Sequence, residues 1–101
     1  MEYGLNYNAV EKIHAVFRQF PQVEAAILYG SRAKGNYRNG SDIDLTLKGG
    51  NLNHKILSLI SSKMDDLLLP YIIDISIYKQ IDNPDLIEHI ERVGKVFYQK
   101  N

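Results

Sequence analysis

Apolar side chains recur along this chain at two different spacings, and the changes between them divide it into helices and strands. From about Asn8 to Phe20 they fall at Val10, Ile13, Val16, Phe17 and Phe20, the spacing of one helix face, and Pro21 stops that helix. Ala25 to Tyr29 is a short apolar run ending at Gly30, the pattern of a buried strand. Ser31 to Lys34 has room for one helical turn before Gly35, and Asn36 to Gly40 is loop by its Asn and Gly content. Ile43 to Lys48 alternates: Ile43, Leu45 and Leu47 face one way, Asp42, Asp44 and Thr46 the other. Gly49-Gly50 ends this strand.

Leu52, Ile56, Ile60, Met64 and Leu67 then form one stripe of a helix reaching about Leu69, with Asn51 or Asn53 as its cap. After Pro70, Ile72 to Tyr78 alternates again, with Asp74, Ser76 and Tyr78 opposite Ile73, Ile75 and Ile77. Asn83-Pro84 opens a last helix, buried through Leu86, Ile87, Ile90 and Val93 and stopped at Gly94. Val96 to Tyr98 is a final short strand or an extended tail. The order predicts a small mixed sheet, an α/β (α+β) architecture, with helices packed on one face and a polar second face where the chemistry sits.

The whole span, 1–101, is expected to be one domain, near the lower end of the lengths that bury a self-sufficient core. Its apolar share of 45% is that of a globular chain and argues against disorder. Twelve basic and twelve acidic residues cancel, so no global field draws the chain to nucleic acid or membrane. The absence of cysteine excludes disulfides and thiolate zinc sites. No signal peptide or membrane-spanning run is legible, which makes a cytoplasmic protein the expectation.

Chemistry concentrates on the polar side of two strands. Residues two apart on a strand project from one side, their Cα atoms about 6.8 Å apart, so Asp42 and Asp44 can converge on cations. If the later strand lies beside this one, about 4.8 Å away, Asp74 completes a triad of carboxylates. Such a cluster repels itself unless hard cations neutralise it, and oxygen-only ligands select magnesium. A turn role would account for Asp42 but poorly for Asp44, which lies between two apolar strand residues; an edge-strand charge is the competing reading of Asp74. Just upstream, Gly30 permits close backbone approach, Ser31 offers an N–H and a hydroxyl, and Arg32, Lys34 and Arg38 supply cations, a combination suited to a polyphosphate. For Arg38 a solvated loop is an equal reading. The turn is neither a Walker loop nor a Rossmann fingerprint. His14, His54 and His89 lie on helices without ligand spacing and read as surface or packing residues. Tyr29 or Tyr37 could stack on a base, though core or surface packing is the simpler role.

Gly30-Ser31-Arg32-Ala33-Lys34-Gly35 followed by Ser41-Asp42-Ile43-Asp44-Leu45 resembles the signature of the DNA polymerase β-like nucleotidyltransferase superfamily, and within it the minimal nucleotidyltransferases (MNT). The order of elements and Asp74 extend the likeness over nearly the whole chain. The resemblance implies a polymerase β-like core. In it, Gly30 and Ser31 would hold the β- and γ-phosphates, with Arg32 and Lys34 nearby. Asp42 and Asp44 would bind two magnesium ions, and Asp74 would join one metal and help deprotonate the acceptor. The implied reaction moves a nucleoside monophosphate, AMP from ATP, onto a hydroxyl.

Larger relatives carry a further domain that binds the acceptor, whereas here only a short helix and a tail follow the Asp74 strand. Another chain is therefore expected to supply or be the acceptor. Minimal members of the family are often paired with a helical HEPN-domain protein, frequently as antitoxin to a HEPN toxin, so a complex with such a partner is the expectation. Two alternatives stand beside this: a non-catalytic module that neutralises its partner by occlusion, and a small-molecule nucleotidyltransferase, acting on an antibiotic-like hydroxyl, built with a second chain.

Overall fold

The computed structural model describes residues 2–101. Its elements run α1 (Tyr7–Arg18), β1 (Ala25–Tyr29), α2 (Ser31–Lys34), β2 (Ile43–Lys48), α3 (His54–Asp65), β3 (Ile73–Ile77), a single 3-10 turn (Tyr78–Gln80), α4 (Pro84–Val93) and β4 (Lys95–Gln99). The four strands form one mixed sheet in the order β3-β2-β1-β4. β1 is antiparallel to both β2 and β4, while β3 runs parallel to β2. The tail around Val96 to Tyr98 is thus an edge strand.

Asparagine opens each of the three longer helices. Asn6 Oδ1 accepts from Ala9 N, Asn53 Oδ1 from Ile56 N, and Asn83 Oδ1 from both Asp85 N and Leu86 N, satisfying donors that a first turn cannot pair itself. Asn53 rather than Asn51 caps α3. Helix ends fall short of the apolar pattern: α1 closes at Arg18 and α3 at Asp65, because Phe20 and Leu67 pack on the core from the turns that follow.

One face of the sheet is the core. Ala26 and Leu28 of β1 and Ile43, Leu45 and Leu47 of β2 meet Ile13, Val16 and Phe17 of α1 and Ile60 and Met64 of α3. β4 adds Phe97 and Tyr98 to the same cluster. α1 and α3 therefore cover the apolar face as the alternation predicts. α4 does not join them. It lies over the second face, where His89 meets Tyr29 edge-on and Glu91 accepts from Tyr78 Oη at 3.0 Å. Gly94 ends α4 without a left-handed turn, at φ −59°. Its value is closeness, since a Cβ there would press on Ile90 O and the Ile27 side chain. Part of the polar face is thereby roofed: Thr46 is fully buried and its hydroxyl accepts from Ser76 Oγ at 2.9 Å. The end of this face nearest the start of β2 and β3 stays open, and there Asp42 and Asp74 are exposed.

Candidate functional site

The parallel pairing of β2 with β3 sets Asp44 directly opposite Asp74, with Ile43 opposite Ile73 and Leu45 opposite Ile75. Because side chains alternate along a strand, this register puts both carboxylates on the face away from α1 and α3. Tyr29 of β1 pairs with Asp44 on its other side, and Gly30 follows. Asp42 lies one residue ahead of β2, two positions from Asp44.

Asp44 feels its surroundings. Burial first, then the charges of Asp74 and Asp42, push the Asp44 carboxyl above the usual aspartate range. Burial likewise raises the Tyr29 phenol; a Ser76 hydrogen bond opposes this, and Asp44 and Asp74 add to it. Among the described residues, no three acidic, histidine or cysteine side chains close around a point where they would enclose an ion unaided. The arrangement is an open row of carboxylates with excess negative charge.

Gly30 sits against this row in a conformation of φ 76° and ψ −157°, a region essentially reserved for glycine. A Cβ at this position would strike Asp44 Oδ2. The missing side chain is therefore what lets the bend lie beside the acid. Ser31 opens α2 directly after it and is half-buried, while Lys34 at the other end of that turn is exposed.

Arg32 is placed otherwise than among phosphate ligands. It points inward, is only 2% exposed, and donates through Nε and Nη2 to Ser41 O and through Nη1 to Tyr3 O. Its guanidinium also lies over the rings of Tyr37 and Tyr71. Tyr37 is thus engaged with this cation, and Tyr29 is buried beside His89, so the simpler packing roles describe both tyrosines. Arg38 is exposed in the loop, where its backbone N–H donates to Ser41 Oγ.

His89 is the site residue that sequence reasoning missed. The backbone N–H of Gly30 donates to His89 Nε2 at 3.1 Å, across 59 positions of chain. A backbone N–H can only donate, so Nε2 carries the lone pair and the neutral ring holds its proton on Nδ1. No spacing rule could reveal a contact made by a helix crossing to the second face. Replacing His89 by Ala should lower stability by about 1 kcal/mol, the usual net worth of such a bond. Urea melts at pH 7.5 would read this, and an unchanged midpoint would show that the bond holds nothing in place.

Among solved structures, several toxin–antitoxin complexes share this fold. A chain of one crystallised with AMP-PNP superposes with a TM-score of 0.71 at 20% identity, covering 96% of this chain and 76% of that one. A chain of the MntA–HepT complex gives 0.67 at 18% identity, over 94% and 74% of the two. The complex of the tri-AMPylated Shewanella oneidensis HEPN toxin with its MNT antitoxin gives 0.67 at 18% identity, over 92% and 71%. No curated protein matches the chain in sequence. The family model described as polymerase beta, nucleotidyltransferase, matches residues 11–101, a span holding the glycine-serine bend, all three aspartates and the four-stranded sheet. The chain belongs to the polymerase β nucleotidyltransferase family.

Proposed function

We propose that this protein transfers a nucleoside monophosphate, AMP from ATP, to a hydroxyl of a HEPN-type partner protein, and acts as the antitoxin of that partner. The carrying observation is Asp44 beside Asp74 in register, on an open face, with the side-chain-free Gly30 bend against Asp44. The fold-level neighbours support the partner class: one is a complex with AMP-PNP and another holds an AMPylated HEPN toxin.

The donor set fits magnesium. It offers carboxylate oxygens only, and burial, then the charges of Asp74 and Asp42, raise the Asp44 carboxyl, a cost that a bound cation would offset. Magnesium keeps waters and shares its shell with substrate phosphates, so an open row of acids suits it better than a closed cage. Asp42 and Asp44 would hold two such ions, with Asp74 a ligand to one. Bound magnesium would neutralise the triphosphate and the departing pyrophosphate.

The chain's own residues do the rest. Gly30 and Ser31 bind the β- and γ-phosphates through backbone N–H groups and the serine hydroxyl, with Lys34 as an outer cation. For Gly30 this means exchanging His89 for a phosphate oxygen. Asp74, exposed on the edge strand, takes the proton of the incoming hydroxyl. The acceptor oxygen then bonds to the α-phosphorus as the bond to the bridging oxygen breaks, and pyrophosphate leaves with that electron pair. Holding acceptor and nucleotide in line supplies much of the acceleration.

The test is incubation with α-labelled ATP, magnesium and a purified HEPN-type protein, followed by mass spectrometry of the partner. Label on a partner hydroxyl, lost with EDTA, is the expected result. No transfer by the wild type across the four nucleotides and both magnesium and manganese would overturn the proposal.

A further inference from the structure

The structure assigns Arg32 as a positioning residue that sets Asp42 at the head of β2, an inference resting on the reading of Asp42 as a metal ligand. Asp44 and Asp74 are fixed by the β2–β3 ladder, whose paired register begins at Ile43 and Ile73. Asp42 lies outside that ladder, at the end of the loop from Asn36, and is exposed. The peptide that follows it is held, since Ile43 N donates to Ile72 O at 2.9 Å; its other side, at Ser41, needs an anchor of its own.

Ser41, its immediate neighbour, is gripped at every polar group. Its carbonyl accepts from Arg32 Nε at 3.1 Å and Nη2 at 2.8 Å. Its N–H donates to Arg38 O at 3.0 Å, and its hydroxyl accepts from Arg38 N at 2.9 Å. The anchor is the guanidinium. Taking a cation almost wholly out of water is costly unless its donors are satisfied. Here the partners are two carbonyls and two aromatic rings, Tyr37 at 5.4 Å and Tyr71 at 5.0 Å, and no carboxylate. A cation spent in this way is not a phosphate ligand. It ties together the N-terminal turn at Tyr3, α2, the Asp42 loop and the approach to β3 at Tyr71. Gly4 closes the assembly, because a Cβ there would collide with the Tyr37 ring.

Arg32→Lys separates the two roles. Lysine keeps the charge a phosphate would need but cannot make the planar, two-donor grip on one carbonyl. In the nucleotide-free protein, the Ser41 amide should exchange its hydrogen faster in Arg32→Lys than in wild type. Manganese(II), titrated by electron paramagnetic resonance as a stand-in for magnesium, should bind about tenfold or more weakly, the usual scale for losing a residue that orients a ligand. ATP binding in EDTA should not change. Unaltered Ser41 exchange, unaltered manganese binding, or a loss confined to ATP binding in EDTA would each overturn the assignment. Should Arg32→Lys not fold, Tyr37→Leu removes one ring and leaves the hydrogen bonds; faster Ser41 exchange with weaker manganese binding is expected, and no change in either overturns it. A wild type that binds no manganese at all would instead remove the metal-ligand reading of Asp42, while Ser41 exchange still reports on Arg32.

Discussion

On the proposed reading, the Asp42→Asn/Asp44→Asn double variant will lose nucleotidyl transfer by at least about 10³-fold, since the ions that would stabilise charge in phosphoryl transfer lose their ligands. It will also be more heat-stable than wild type in EDTA. The sign follows from the raised Asp44 carboxyl. An acid whose folded pKa lies above its unfolded value destabilises the fold once ionised. Stability falls as pH rises from the unfolded aspartate value through the raised one, and that deficit persists at neutral pH. Asparagine keeps the shape and removes the charge, so the midpoint should rise at pH 7.5 and stay unchanged near pH 3.

Magnesium and ATP reverse the ranking. Saturating a site at one hundred times its Kd adds about 2.7 kcal/mol to the wild type, roughly 10 °C or more for a chain of this size; the variant gains nothing. Scanning calorimetry with and without magnesium-ATP measures both halves. A double variant less stable than wild type in EDTA would mean the aspartates serve the fold. In cells, neutralisation of the proposed HEPN-type partner that survived in the variant at equal expression would favour occlusion over transfer.

How much of this was written in the sequence depends on how local the determinant is. Asp44 was legible because it interrupts Ile43 and Leu45 in a two-residue alternation, which fixes its face before its neighbours are known. Asn83-Pro84 was legible for the same reason, the cap and the first helical position being adjacent. Asp74 needed one further fact, that β3 lies beside β2 and runs parallel to it with Asp74 against Asp44. Alternation gives a strand's face and says nothing of its partner.

Arg32 and His89 show where local reading stops. A lone arginine in a glycine-flanked turn looks like a phosphate ligand, and its burial is decided by Tyr3, Tyr37 and Tyr71, which arrive from three separate segments. His89 belongs to the site because α4 crosses to the second face, and the stripe of Leu86, Ile87, Ile90 and Val93 does not say which side of the sheet it seeks. In both residues the side chain's role was set by a contact, and the contact by topology.

Gly30→Ala tests the tightest of these contacts and should be the most damaging single substitution at the site. Two separate costs add. Alanine must adopt φ 76° with ψ −157°, a strain of about 1–3 kcal/mol, and its Cβ must share space with Asp44 Oδ2. A loss of roughly 3 kcal/mol, lowering the midpoint by about 10–20 °C, is the expected result, together with loss of any response to magnesium-ATP. The two costs separate in an Asp44→Ala background, which clears the space and leaves the backbone strained. There Gly30→Ala should cost about 1 kcal/mol less than in wild type, a coupling expected of residues in direct contact. Urea melts of the four proteins close the cycle. Strict additivity would mean that the bend and the acid do not touch, and that glycine is required at position 30 for its backbone alone.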